Sequence, residues 1–412
     1  MNNTPRGERL HIAIFGRRNA GKSSLINSVT KQNLSLVSDV PGTTTDPVYK
    51  SMEILPVGPV VLIDTAGVDD EGELGALRVE RTLGVLSKTD LAVLVLDPFQ
   101  GIGPHEAGLL EYIHTKTIPV IGVINKADAF QGDLAALHAE WSKQLGIPLA
   151  IVSASTRQGI DELVRLISAN APGDWVEPSL VGDLISPGDT AVLVVPIDMA
   201  APKGRLILPQ VETIRDLLDH DAAALVVKER ELKDTLQGLA RKPRIVITDS
   251  QAFLKVDADT PPDVLLTSFS ILMARHKGDL AALVAGAKAI DSLKPGDRVL
   301  IAEGCTHQCQ PDDIGRVKIP RWLRQYVGGD LQFEFYHGNS YPDDLADFKL
   351  IVHCGSCMLN RREMLWRIGK AREEGVPIVN YGVAIAHLHG ILKRALSPFP
   401  LAQMIMEGEA GQ

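Results

Sequence analysis

The sequence predicts an α/β protein, with a doubly wound phosphate-binding sheet followed by two smaller α/β domains. Three observations support this fold class. Apolar runs alternate with amphipathic segments over residues 1–170, a glycine-rich segment follows the first run, and the alternation restarts after a break. Strands separated by amphipathic helices indicate parallel pairing through crossover helices. The unbroken apolarity of the strands indicates that both of their faces are buried.

The individual elements follow this alternation in order. The strand LHIAIFG precedes the helical segment KSSLINSVTK, and four more buried strands are predicted in VVLID, LAVLVLD, PVIGVINK and LAIVSAS. Helices are predicted in PHEAGLLEYIHTK and GDLAALHAEWSKQL. Prolines and glycines without periodicity predict a linker at 173–187, after a first domain at 1–172. A second domain is expected at 188–262 and a third at 263–412, which opens with a helical segment, LLTSFSILMARH.

Composition and charge exclude several classes of protein. The chain has 412 residues, is 45% hydrophobic and 23% charged, and carries a formal net charge of −9. The acidic balance argues against an electrostatic grip on nucleic acid. No apolar stretch reaches the ~18 residues of a membrane span. The amino terminus lacks the apolar core of a secretion signal, so a cytoplasmic protein without membrane contact is expected.

A phosphate-binding loop is predicted at residues 16–23, GRRNAGKS, between a strand and a helix. Gly16 and Gly21 allow backbone N–H groups to surround phosphate oxygens, and the helix N-terminus adds partial positive charge. We expect Lys22 to contact the β- and γ-phosphates and Ser23 to ligate Mg²⁺.

Three further motifs follow predicted strands and complete a guanine-nucleotide site. Asp64 in DTAG is expected to hold Mg²⁺, largely through water, and Gly67 is free to approach a γ-phosphate through its N–H. Asp128 in NKAD can accept two hydrogen bonds from guanine, and adenine offers no such donor pair. The third motif, SAS at 153–155, ends the last strand where the base is expected to pack. Together the motifs predict a GTPase domain. The expected nucleotide-binding residues are Gly16, Asn19, Ala20, Gly21, Lys22, Ser23, Ser24, Asp64, Asn125, Lys126, Asp128, Ser153 and Ala154.

This first domain resembles the bacterial GTPases of the Era and tRNA-modification (TrmE-like) group, including a segment at 41–46, PGTTTD, similar to that group's first switch. The resemblance implies that Thr44 follows Mg²⁺ and the γ-phosphate. The expected catalytic residues are then Lys22, Ser23, Thr44, Asp64 and Gly67, with GTP or GDP and Mg²⁺ as cofactors. Val68 stands where Ras-like enzymes carry a water-orienting glutamine, which predicts slow hydrolysis. Asn19 matches the asparagine of K⁺-stimulated relatives, although a simple turn-forming role is equally open.

The cysteines form a second constellation, confined to the last third of the chain. Cys305 and His307 follow the predicted strand RVLIAEG, and His353, Cys354 and Cys357 follow the strand LIV. Both sets are therefore expected at the carboxyl ends of strands, where α/β sheets place ligands. Thiolates and imidazoles in this pattern favour zinc or an iron–sulfur cluster, and a thiol–disulfide couple is a further alternative.

A C-x-H motif followed by H-C-x-x-C behind a GTPase domain resembles the FeFe-hydrogenase maturation GTPases, the HydF family, over the whole chain. The resemblance implies a dimerisation domain at 188–262, hence a homodimer. It also implies a 4Fe–4S cluster on Cys305, Cys354 and Cys357 within 263–412. Such a protein is a scaffold and carrier. It receives a transient diiron unit bearing CO and cyanide, assembled with two radical-SAM maturases, and delivers it to apo FeFe-hydrogenase.

The fourth ligand of such a cluster stays open. Three thiolates leave one iron for an exchangeable ligand, which suits a carrier. His307, His353 and Glu303 are the candidate fourth ligands, and Cys309, which lies outside the family's pattern, is another. Two other functions remain possible: an RNA-associated GTPase of the Era and TrmE-like kind, and a zinc-stabilised GTP switch.

Overall fold

The computed structural model describes residues 6–30, 47–67, 84–172, 178–196, 206–304, 313–338 and 340–408. The chain forms two compact units, Met1–Val176 and Glu177–Gln412. Within the described ranges, one six-stranded and two four-stranded sheets confirm the predicted α/β class. Among these residues, no helix combines the length and the apolarity that crossing a bilayer requires.

The first unit is a six-stranded sheet of order β2-β3-β1-β4-β5-β6, parallel except where β2 pairs antiparallel with β3. Its strands are β1 Leu10–Gly16, β2 Val48–Ile54, β3 Gly58–Asp64, β4 Leu91–Leu96, β5 Val120–Ile124 and β6 Leu149–Ile151. Its described helices are α1 Lys22–Thr30, α2 Pro104–Thr115, α3 Leu134–Leu145 and α4 Ile160–Asn170.

Burial on both faces explains why the central strands read as unbroken apolar runs. All six residues of β4 are buried. Val93 and Val95 belong to the core on one face of the sheet, and Ala92 and Leu94 belong to the core on the other. Because β1 lies between β3 and β4, the order of the strands reverses beside β1. The crevice at the carboxyl ends of these strands is where open α/β sheets bind ligands.

The second unit contains two four-stranded parallel sheets, of order β10-β9-β7-β8 and β12-β11-β13-β14. The first sheet and its helices comprise β7 Thr190–Val194, α5 Leu208–Asp219, β8 Ala223–Val227, α6 Leu232–Gly238, β9 Ile245–Thr248, α7 Phe253–Asp259, β10 Leu265–Ser268 and α8 Phe269–Lys277. The second comprises α9 Leu280–Ala287, β11 Arg298–Glu303, α10 Ile319–Val327, β12 Gln332–His337, β13 Leu350–His353, α11 Arg361–Glu373, β14 Ile378–Asn380, α12 Tyr381–Leu388, α13 Leu392–Ala395 and α14 Pro400–Glu407.

The prediction of helix throughout LLTSFSILMARH was wrong for its first four residues. Leu265–Ser268 forms β10 and pairs in parallel with β9, with Leu265 opposite Ile245. Helix α8 begins only at Phe269, where the Ser268 hydroxyl accepts a hydrogen bond from the N–H of Ile271 at 3.2 Å. A strand this short and this buried has no periodicity that separates it from a helix. Strand β10 thus joins the β7–β9 sheet, although it lies after the boundary expected at 262/263.

Candidate nucleotide and thiol sites

The predicted nucleotide motifs meet at the carboxyl edge of the first sheet, around the side chain of Asn125. Its amide nitrogen donates a hydrogen bond to the carbonyl of Ala20 at 3.0 Å, and its oxygen accepts one from the N–H of Ala154 at 3.1 Å. Asn125 is 2% exposed. One buried amide therefore ties the phosphate loop to the loops after β5 and β6.

Glycine is required at position 21 because Asn125 approaches so closely. Gly21 has φ +93°, and a Cβ built there would lie 2.2 Å from the amide nitrogen of Asn125. In the same loop Asn19 has φ +60° and is exposed, a left-handed conformation that asparagine tolerates well.

The magnesium-ligating pair predicted from sequence is in contact in the structure. The Ser23 hydroxyl donates to a carboxylate oxygen of Asp64 at 2.5 Å, and Asp64 is 6% exposed. Burial raises the pKa of Asp64, and the Ser23 hydrogen bond and the charge of Lys22 partly oppose that rise. A hydroxyl beside a buried carboxylate is an all-oxygen donor set, which fits Mg²⁺. Lys22 donates from Nζ to the carbonyls of Gly16 and Arg17 at 2.9 and 2.8 Å.

An ion pair that sequence reasoning missed anchors the phosphate loop. Arg17 faces Glu106, near the start of α2, with Nε–Oε1 and Nη2–Oε2 distances both of 2.6 Å. The side chains are 18% and 3% exposed. Glu106 also accepts a hydrogen bond from the N–H of Gly103 at 2.9 Å. No local pattern could have revealed this pair because its partners lie 89 positions apart.

The base-recognition loop presents an ionised, exposed carboxylate. Asp128 accepts hydrogen bonds from the hydroxyls of Ser153 and Ser155, each at 2.7 Å, and these bonds lower the pKa of Asp128. Lys126 has φ +59° and pairs through Nζ with Asp97 at 2.7 Å. The pairing fixes the loop, and the role of Asp97 was not foreseen from sequence. An ionised acceptor held this way can receive the two N–H groups of guanine.

Several predicted residues lie outside the described part of the chain. Thr44 and Val68 belong to this group in the nucleotide domain, and Cys305, His307 and Cys309 belong to it in the thiol motif. Gly67 is described and buried, and it is the last described residue before 68–83.

The second constellation lies where β11 and β13 end side by side. The two strands are parallel, with Ala302 opposite His353, and the N–H of Cys354 donates to the carbonyl of Ala302 at 2.9 Å. The sulfur of Cys354 accepts hydrogen bonds from the N–H groups of Gly304 at 3.0 Å and Ser356 at 3.4 Å. The bond from Gly304 joins the residue that follows β11 to the residue that follows β13. Neither Cys354 nor Cys357 forms a disulfide bond, and both are partly buried.

The Cys354 sulfur is buried but receives hydrogen bonds. Burial raises the pKa of the Cys354 thiol, and the two N–H donors and the charge of Arg367 only partly oppose that rise. Hydrogen bonds to sulfur are among the means by which proteins tune iron–sulfur centres. Within the described ranges, no group of three or more Cys, His, Asp or Glu residues is arranged to hold a metal ion. Cys354 and Cys357 are the cysteines of the predicted motif that lie within those ranges, and Cys305 lies outside them.

Two candidate fourth ligands already hold protein partners. His353 is fully buried, and its pKa is lowered to about 3 by burial and, second, by the charge of Arg367. Glu303 is 3% exposed, accepts a hydrogen bond from the Tyr381 hydroxyl at 3.1 Å and pairs with Nδ1 of His337 at 2.8 Å.

Family models match the chain in three consecutive parts. Residues 11–126 match the model described as 50S ribosome-binding GTPase. Residues 180–278 match the hydrogen maturase F dimerization domain, and residues 281–398 match the hydrogen maturase F tetramerization domain. The first match confirms a GTPase domain in the amino-terminal unit. The other two are models of oligomerisation domains from one family, and together they span more than half of the 412 residues.

Individual relatives match a smaller part of the chain. The tRNA modification GTPase MnmE of Chromobacterium violaceum is 36% identical over 157 residues, which is 38% of this chain and 33% of that protein. GTPase Der of Kosmotoga olearia is 34% identical over 167 residues, 38% of each. The chain thus spans little more than a third of the length of these curated relatives. The structure of an Aquifex aeolicus Era variant bound to GDP·AlF4⁻ aligns with TM-score 0.37 and 20% identity over 61% of this chain and 99% of that one.

Proposed function

Because the chain belongs to the hydrogen maturase F (HydF) family, we propose that it is a GTP-hydrolysing scaffold for maturation of the FeFe-hydrogenase active site. The hydrogen bond from Gly304 to the Cys354 sulfur carries the proposal, because it brings the residue preceding Cys305 to the C-x-x-C turn. Chain connectivity keeps the Cα atoms of residues 304 and 305 about 3.8 Å apart. This supports the proposal that Cys305 supplies a third thiolate beside Cys354 and Cys357.

In the proposed nucleotide cycle, the first unit binds GTP and hydrolyses it to GDP and phosphate. Asp128 selects guanine, and Lys22 contacts the phosphates. Ser23, Asp64 and Thr44 hold Mg²⁺, which supplies charge stabilisation at the phosphates when bound. Hydrolysis is slow because Val68 has no group that can orient water. Asn19 is the proposed K⁺ ligand, and equal hydrolysis rates in K⁺ and Na⁺ would remove it from that role.

In the proposed scaffold, Cys305, Cys354 and Cys357 hold a 4Fe–4S cluster that keeps one exchangeable iron position. This site receives the diiron CO/cyanide unit from the radical-SAM maturases and passes it to apo-hydrogenase. The switch residues Thr44 and Gly67 order around the γ-phosphate and change how a partner docks. If Lys22→Ala, unable to bind GTP, still activated hydrogenase fully, GTP would be dispensable for transfer.

Self-association is proposed to use the edge of the β7–β10 sheet. Strand β8 is an edge strand, and Val226 within it is 42% exposed. Helix α5 exposes Val211 and Leu218, which are 47% and 56% exposed. An apolar edge strand is a template for pairing with a second chain. We expect Val226→Lys to lower the mass measured by light scattering, and an unchanged mass would exclude this edge.

Anaerobic purification tests the scaffold directly. We expect a brown protein with about four irons per chain and loss of that iron in Cys354→Ser. Cys309→Ser is a separate arm because Cys309 is a candidate fourth ligand, and full iron retention in that variant would remove it from the candidates. A colourless protein with one zinc would instead support a zinc-stabilised switch. Tight, salt-dependent RNA binding would support an RNA-associated GTPase.

A further inference from the structure

Arg367 is a fully buried arginine directly behind the thiol motif. It lies in helix α11, is 0% exposed, and is among the largest fully buried side chains of the described residues. Its Nη2 donates to Glu363 and to the carbonyl of Gly338, both at 2.8 Å, and its guanidinium lies 4.9 Å from the centre of the Tyr341 ring. A buried charge is costly unless it is paired and hydrogen-bonded, so such an arrangement is expected to serve a purpose.

The remaining terminal nitrogen of Arg367 fixes the state of His353. Nη1 of Arg367 lies 3.0 Å from Nε2 of His353. A guanidinium can only donate, so Nε2 must be the acceptor and carries no hydrogen. The hydrogen of a neutral imidazole then resides on Nδ1, which is 3.0 Å from the carbonyl of Cys354 and 3.2 Å from the hydroxyl of Ser356.

Both ring nitrogens of His353 are therefore occupied within the protein. One is held by Arg367, and the other holds the turn that carries Cys354. The same turn directs the Cys354 sulfur toward the N–H of Gly304. Helix α11 begins directly after this turn, with Asn360 as its cap accepting from the N–H of Glu363 at 3.1 Å. Glu363, in the first turn of the helix and four residues before Arg367, neutralises the charge of Arg367.

We propose that Arg367 is a positioning residue of the thiol site: through His353 it fixes the H-C-x-x-C turn and keeps His353 out of the coordination sphere. The inference rests on the proposed iron–sulfur function. The fourth ligand must then come from elsewhere, which leaves Glu303, His307 and Cys309 of the candidates. Outer hydrogen-bond partners of this kind change metal affinity by about 10–100-fold when they are mutated.

The first test needs no cluster. The full chain is labelled with ¹⁵N-histidine, and long-range ¹H–¹⁵N spectra report the tautomer of each ring. The signal of His353 is identified by its loss in His353→Gln. We expect Nδ1–H in the parent and in Arg372→Met, and a changed or mixed tautomer in Arg367→Met. Arg372 is the matched control because it lies on the same helix with its side chain 70% exposed.

The second test uses the reconstituted protein. Iron retention against a chelator should fall about 10–100-fold in Arg367→Met and stay unchanged in Arg372→Met. In a His307→Ala background, exchanging ¹⁴N- for ¹⁵N-histidine should leave the pulsed EPR spectrum of the reduced cluster unchanged. A histidine nitrogen coupling in that background would identify His353 as a ligand and overturn the inference.

The outcomes separate this inference from the function on which it rests. If the parent and Arg372→Met load no iron, the scaffold proposal fails, and the tautomer measurement still decides the role of Arg367. If Arg367→Met matches the parent in tautomer and iron retention, Arg367 has no positioning role. Should Arg367→Met not fold, Arg367→Lys retains the charge without the planar fork. The Arg367→Lys variant should then show a smaller loss of iron retention and a mixed tautomer of His353. Iron retention and a tautomer equal to those of the parent would also overturn the inference.

Discussion

The buried Arg17–Glu106 pair offers a quantitative test of how the phosphate loop is held. Glu106→Gln keeps the shape of the side chain and one acceptor but removes the negative charge. Glu106 is 3% exposed and faces two nitrogens of Arg17 at 2.6 Å. Breaking a buried ion pair lowers the free energy of unfolding by about 3–5 kcal/mol. Because glutamine retains one acceptor, we expect a loss at the low end of this range, about 3 kcal/mol. For a unit of this size that lowers the unfolding midpoint by about 6–12 °C.

The assay is calorimetry of the full, nucleotide-free chain. The transition of the first unit is identified in the parent as the one that GDP and Mg²⁺ raise, because ligand binding stabilises only the folded state. Glu162→Gln is the matched control. It removes the same charge from the same unit, but its pair with Arg165, at 2.6 Å, is exposed by 54% and 75%. Exposed pairs contribute about 1 kcal/mol or less. Similar small shifts in both variants would refute the reasoning that burial makes the first pair matter.

Three further predictions concern the nucleotide site. Asp128→Asn should weaken GTP binding on the order of 100-fold and favour xanthosine triphosphate, because two charge-assisted hydrogen bonds are lost. Calorimetric titration with each nucleotide measures both affinities. Gly21→Ala should abolish GTP binding because its Cβ would displace Asn125, whereas Gly108→Ala, with no atom within 4 Å, should bind normally. Burial raises the pKa of Asp64, so its ionised form destabilises the metal-free fold. Asp64→Asn should therefore melt higher than the parent in chelator at neutral pH, and the gap should shrink as pH falls through that raised pKa.

The central strands of the first sheet and helices α1, α2 and α3 could be predicted because each is a strongly patterned segment, whereas α4 was not predicted. Strands β2 and β12 were missed. Both lie at sheet edges, and most of their side chains are exposed or partly buried. Their sequences therefore contain no continuous apolar run that would predict a strand. Strand β10 was mistaken for helix because a strand of four residues, three of them buried, is too short to show a hydrophobic period. A strand that is buried on both faces has a continuous apolar sequence, which can be recognised, whereas an edge strand includes polar residues that interrupt this pattern.

The site residues divide in the same way. Those in contiguous motifs could be proposed from the sequence, including Ser23 and Asp64, which are in contact in the structure. Glu106, Asp97 and Arg367 were missed. Each acts through a partner elsewhere in the sheet or on another element, and a single charged residue in an amphipathic segment looks like any solvated one. Recognising such partners required the tertiary arrangement, since nothing in the local sequence distinguishes them.

The Gly304–Cys354 bond spans fifty positions of the chain and exists only because β13 pairs beside β11. During biosynthesis, the cysteine at 305 leaves the ribosome well before the later pair. It stays remote from them until that strand has docked. Iron arriving earlier would meet thiols that cannot act together. Loading of the proposed cluster is therefore expected to follow completion of this sheet, so a defect in strand docking would present as failure to insert that cluster.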